Sequence, residues 1–72
     1  MRKRTETMVV HRGRYYFVIL RQYRKLLGFT IWKDKWRETP YRFLSKEEAG
    51  RLATNIRPWL KGKYHPQSAR TV

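Results

Sequence analysis

A chain of 72 residues with a formal net charge of +13 is one domain at most, and at that length it buries only about 60% of the surface its unfolded form exposes. The absence of cysteine excludes disulfides and thiolate metal sites, and His11 and His65 stand far apart without a carboxylate cluster, so no metal or other cofactor is expected. The longest apolar run, Tyr15–Leu20, is six residues where about 20 are needed for a bilayer-spanning helix, and no hydrophobic segment follows Met1-Arg-Lys-Arg; a soluble, intracellular protein with no membrane partner is the expectation.

Residues 1–7 are polar and charged and read as a basic N-terminal arm. Met8–His11 is a short predicted strand, and Arg12-Gly13 a turn signal in which glycine can take a positive φ. Arg14–Arg24 (RYYFVILRQYR) is the strongest predicted strand, rich in aromatic and β-branched residues and free of breakers. Lys25–Gly28 is a second turn. Phe29–Trp36 alternates, with Phe29, Ile31, Lys33 and Lys35 on one side and Thr30, Trp32, Asp34 and Trp36 on the other. Arg37–Pro40 is a loop and Tyr41–Leu44 a short last strand. Ser45 and Glu48 then have the spacing of a capping box, and Ala49, Leu52, Ala53, Ile56 and Leu60 form the apolar stripe of a helix packed on a sheet. Pro58, lacking an N–H, should kink or end that helix near Arg57. Residues 62–72 read as a flexible basic tail, leaving 8–61 as the folded domain. The expected fold is α+β: a curved antiparallel sheet of three to four strands followed by one C-terminal helix, β-β-β-β-α.

The charge is not confined to the ends, since residues 8–60 alone hold 12 basic and 4 acidic side chains. Self-repulsion of that size is relieved by a polyanion. Arginine outnumbers lysine by eleven to seven, which suits bidentate phosphate contacts and stacking on bases. The middle of the long strand is apolar on both faces, with Tyr15, Phe17 and Ile19 pointing one way and Tyr16, Val18 and Leu20 the other. One helix covers one face, so the second is a partner interface or a ligand platform. Enlarging a small core by self-association makes a homodimer the expected assembly.

Nine aromatic residues fall between positions 15 and 43, more than so small a core needs. Trp32 and Trp36, interleaved with Lys33, Lys35 and Arg37, make the pattern of rings and cations that single-stranded nucleic acid uses, bases stacking on the rings while cations track the backbone. The alternative is that one or both tryptophans belong to the core. Arg12 and Arg14 flank the first turn, Arg21, Tyr23, Arg24 and Lys25 approach the second, and Arg42 lies on the last strand; the basic members of this set are candidate phosphate clamps. A nuclease would need more than His11 beside Arg12 or Arg14, and Asp34, Glu38, Glu47 and Glu48 have no metal-binding spacing, so catalysis is not expected.

Arg12–Tyr23 (RGRYYFVILRQY) resembles the second-strand region of the transcription positive-cofactor-four family, and Leu44–Ile56 is similar in placement to that family's single helix. Related Whirly and PUR proteins share the β-β-β-β-α plan. The resemblance implies a dimeric binder of single-stranded DNA or RNA in which Arg21 and Tyr23 match the family's Arg and Tyr. A second stretch, Tyr41–Ala49 (YRFLSKEEA), is similar to the junction before the helix in the arm-binding domain of tyrosine recombinases and the plant ethylene-response DNA-binding domain. That likeness implies a sheet reading the major groove of duplex DNA, in a recombinase or transcription regulator. An RNA-docking adaptor or small ribonuclease is the remaining alternative.

Overall fold

The computed structural model describes residues 3–67 and 69–71. Its centre is β2 (Tyr15–Leu26), a 12-residue strand with partners on both edges. Along one edge runs β1 (Arg4–Arg12), antiparallel and in unbroken register from Arg4 opposite Tyr23 to Arg12 opposite Tyr15. Gly13-Arg14 closes this hairpin, and φ is positive only at Gly13, the signature of a type II′ turn. β1 therefore takes in Arg4–Thr7, and the expected basic arm is strand from its fourth residue. Thr5 and Thr7 are β-branched and tolerated in a sheet that packs them only partly.

The other edge of β2 is lined by one interrupted path. β3 (Phe29–Lys33) follows the Leu27-Gly28 turn, β4 (Arg37–Glu38) pairs with Ile19 and Leu20, and Phe43 bridges Tyr16 through backbone bonds of 2.8 and 2.9 Å. Between them Thr39 is buried and uses both its N–H (3.0 Å) and its hydroxyl (2.9 Å) on the Val18 carbonyl. This pins the loop that was expected to be irregular to the middle of β2.

Across one face of the sheet lie α1 (Lys46–Thr54) and the short α2 (Ile56–Leu60). Ser45 Oγ accepts from the Glu48 N–H at 3.2 Å, satisfying one donor of the first turn, and Glu47 and Glu48 lie at the positive end of the helix. Ser45→Ala should cost about 1 kcal/mol, read as a lower midpoint in urea with an unchanged slope. The helix breaks at Asn55, three residues before Pro58, because the proline ring cannot tolerate a helical carbonyl at Thr54. Pro58 falls instead in the first turn of α2, where a missing N–H is harmless.

The core consists of Val18, Leu20, Phe43, Ala49, Leu52 and Ile56, with Val9, Tyr16, Tyr41, Trp59, Tyr64 and Ala69 packed around it. Leu60, expected in the helix stripe, is exposed; the break at Asn55 rotates α2 so that Trp59 points inward, edge-on to Tyr41 and donating its Nε1–H to Tyr41 Oη at 3.2 Å. The helices do not end the fold. The chain returns as β6 (Arg70–Thr71), which pairs with β5 (Tyr41–Arg42) in a second small sheet, and Tyr64 and Ala69 seal the core on the way. The protein is thus a mixed fold with an antiparallel sheet and a mid-chain helix rather than a β-β-β-β-α fold ending on its helix, and Tyr64, Ala69, Arg70 and Thr71 of the segment read as a loose tail pack or pair with the rest of the fold. No helix among the described residues is long and apolar enough to cross a membrane.

Candidate nucleic-acid interface

Strand alternation sorts the sheet into two faces. Tyr16, Val18 and Leu20 turn to the helices, as their burial requires, so Tyr15, Phe17, Ile19, Arg21, Tyr23 and Lys25 occupy the helix-free face. Register adds Arg4, Glu6, Met8, Val10 and Arg12 from β1 and Lys33 and Glu38 from the far edge. The doubly apolar character read from Tyr15–Leu20 is present, and no element of the described chain covers the second face.

Rings and cations on that face are in contact. The Arg21 guanidinium lies 4.3 Å from the Trp36 ring centroid and is also held by the Glu6 carboxylate. Arg42 stands over Tyr15 at 4.7 Å, Arg12 over Phe17 at 5.6 Å and the Lys25 ammonium over Tyr23 at 5.8 Å. Arg12 is further tied to Glu38 at 2.5 Å. Each ring is an attractive seat for a cation through its quadrupole. Together the pairs interleave positive charge with apolar and aromatic side chains across the face. Arg4, Lys25, Lys33 and Arg42 have no carboxylate within 4.0 Å among the described residues, and the Arg42 Nε is buried without a hydrogen-bond partner there. A groove beside them is lined by Glu6, Arg21, Tyr23, Lys25, Thr30 and Lys33.

The structure separates the two tryptophans that simple alternation places together. Plain pairing from Leu26 opposite Phe29 would set Trp32 against Tyr23, on the helix-free face. A β-bulge between Arg24 and Lys25 pairs Lys25 with Thr30 but Arg24 with Trp32, so Ile31 is the extra residue and every later side chain changes face. Trp32 consequently lies on the helix side, exposed beyond the end of the helices, with Lys3, Arg24 and Ile31 around it and the Lys3 ammonium 6.0 Å from its ring. A second irregularity restores the face. Asp34 donates its N–H to the Gln22 carbonyl at 2.9 Å and Arg37 stands opposite Leu20, so Lys35 and Trp36 together span the single residue Arg21. Trp36 returns to the helix-free side and meets Arg21.

Of the residues singled out from the sequence, Arg12, Arg21, Tyr23, Lys25, Lys33, Trp36 and Arg42 converge on one face. Trp32 and Arg24 do not. Arg37 sits at the rim on the helix side, 3.9 Å from Asp34; Lys35 is exposed in the link between β3 and β4; Arg14 is exposed in the first turn. The sequence reading missed the part played by β1, whose Arg4, Glu6, Met8, Val10 and Arg12 recur with the period of a strand; starting that strand at Met8 hid the pattern. It also left Tyr15 and Phe17 out of the site although their alternation had placed them. His11 lies flat on Tyr16, centroids 4.4 Å apart, on the opposite side of the sheet from Arg12, so those two side chains do not converge. Among the described residues no three His, Asp or Glu side chains gather as metal ligands. No protein-family model, curated protein or solved structure gives a significant match to the chain.

Proposed function

We propose that the protein binds nucleic acid across the helix-free face of its sheet, and that duplex DNA is the form it fits best. The observation that carries this reading is the set of four cation–ring pairs on that face, Arg21–Trp36, Arg42–Tyr15, Arg12–Phe17 and Lys25–Tyr23. A ligand that meets such a surface must bring negative charge at several points. A cation lies against each of these rings, so a base that stacks must first displace it, which favours phosphates and base edges over stacked bases. Three neighbouring strands spaced about 4.8 Å apart present a ridge about 10 Å wide, close to the roughly 12 Å of the major groove. Arg21, held between Trp36 and Glu6, is the candidate for bidentate contact with guanine. The resemblance of Tyr41–Ala49, the junction leading from the sheet into α1, to arm-binding domains supports the duplex reading.

Single-stranded nucleic acid is the second reading, favoured by the partial exposure of Tyr23 and Trp36 on the same face; there a base displaces a cation from its ring and stacks in its place.

Titration of duplex DNA, oligo-dT and heparin at several salt concentrations tests both. If the six cations of the face each neutralise a phosphate, log affinity for duplex should fall against log salt with a slope of about −5, roughly a thousandfold between about 50 and 200 mM. Tighter binding of oligo-dT with strong tryptophan quenching selects the single-strand reading. Equal affinity for heparin and both nucleic acids removes the shaped site altogether.

A further inference from the structure

The end of the β2–β3 hairpin is built against the ordinary rules for a surface turn. Pairing of Leu26 with Phe29 leaves Leu27-Gly28 as the two-residue loop, and both have positive φ, +53° and +83°, the pattern of a type I′ turn. Asparagine or glycine serves the first position at little cost, whereas leucine is strained there. Nothing in the fold compensates. Leu27 is 88% exposed and Phe29 74%, and Leu26, Ile31 and Trp32 behind them are also exposed. Five large apolar side chains within seven residues thus form a bare tip at the extremity of a molecule 40 Å long. Cations border it on both faces: Lys3 and Arg24 beside Ile31 and Trp32 on one side, Lys25 and Lys33 on the other.

A partner for such a tip must have an apolar interior and an anionic margin. Stacked base pairs between two rows of phosphates have both. Lys25 and Lys33 at the base of the hairpin belong to the face described above, so a polymer lying on that face reaches the tip without a gap. We propose that the hairpin tip is a wedge, Leu27 and Phe29 entering between adjacent bases at the margin of the bound site and partly unstacking them while Lys3, Arg24, Lys25 and Lys33 hold the flanking phosphates. Apolar wedges of this kind kink a duplex and extend the surface it shares with the protein. The inference rests on the nucleic-acid reading and adds a distortion of the ligand to it.

The test uses the whole chain and duplexes carrying 2-aminopurine at successive positions, with Leu27→Asn/Phe29→Ser as the variant. Asparagine suits the left-handed turn and both sites are exposed, so the variant should match or exceed the parent in thermal midpoint. The parent should raise 2-aminopurine fluorescence severalfold at one step, and the variant should bind the same duplexes without that rise. A duplex bound with no rise at any position, or a rise that persists in the variant, overturns the wedge and leaves the nucleic-acid reading intact. Failure of the parent to bind duplex overturns the wedge and the duplex reading together, and failure to bind oligo-dT as well overturns the nucleic-acid reading. Binding to phosphatidylglycerol vesicles that depends on Leu27 and Phe29, with duplex fluorescence unaffected by their replacement, overturns the wedge in favour of a lipid surface.

Discussion

Phe43→Ala is expected to leave the protein largely unfolded at physiological temperature. Phe43 is 1% exposed and is the largest of the fully buried side chains; it fills the space between β2 and the helices, and its backbone carries the two-bond bridge to Tyr16. Truncating a buried phenylalanine costs about 3–5 kcal/mol, through lost transfer energy and the cavity left behind. Stabilities of about 5–15 kcal/mol are usual, and a domain this small lies at the lower end. The +13 charge lowers it further through self-repulsion. The neighbouring Leu44 is 58% exposed, so Leu44→Ala should change stability by about 0.5 kcal/mol or less. Urea titrations of the two variants by far-ultraviolet circular dichroism give the comparison. Equal midpoints would mean that the core is not where Phe43 sits.

The second large effect concerns Arg21. Arg21→Ala removes the guanidinium from Trp36 and leaves the Glu6 carboxylate facing the ligand without its partner. Loss of a bidentate base contact is worth about 1–3 kcal/mol, or about 5- to 150-fold in affinity for a preferred duplex. The exposed carboxylate repels phosphate and pushes the loss to the upper end. Trp36→Ala keeps the charge and removes its seat, so on the duplex reading it should weaken binding less than Arg21→Ala. If single strands are the ligand the order reverses, because the uncovered ring of Trp36 in the Arg21 variant still stacks a base. Anisotropy of labelled duplex and labelled oligo-dT, measured with both variants, reads the order directly. No change in either would remove this part of the face from the site.

The features that were legible in the sequence were those fixed by local chemistry. Tyr15–Leu20 is apolar at every position, which marks a strand with an apolar side chain on each face of the sheet wherever the helices lie. Gly13, Gly28 and the Ser45 cap mark where elements turn or begin, because each residue has a conformation or a hydrogen bond that others lack. The faces of Trp32 and Trp36 were not legible, since a period-two argument survives only until the first extra residue, and the irregularities at Ile31 and at Lys35-Trp36 each reverse it. Neither carries a glycine or proline to announce it. The end of the chain was not legible for a different reason: Tyr64, Ala69, Arg70 and Thr71 have no periodicity of their own and are placed by distant partners, Tyr41 and Arg42 among them. The exchange of Leu60 for Trp59 in the core follows from Pro58 acting on the carbonyl four residues before it rather than on its immediate neighbour.

Pairing continuity is distributed unequally across the sheet. The β1–β2 ribbon has nine consecutive residue pairs without a fault, whereas the opposite rim of β2 is served by short lengths of chain separated by irregular links. A strand ladder resists bending in proportion to its continuity, and isolated pieces yield at the gaps between them. The ribbon is therefore the continuous margin of the face, and the rim carrying Lys33, Trp36 and Glu38 is the interrupted one. The spacing of Arg4, Arg12 and Arg21 is thus set by one unbroken ladder, whereas Lys33 and Glu38 are placed by separate short ones.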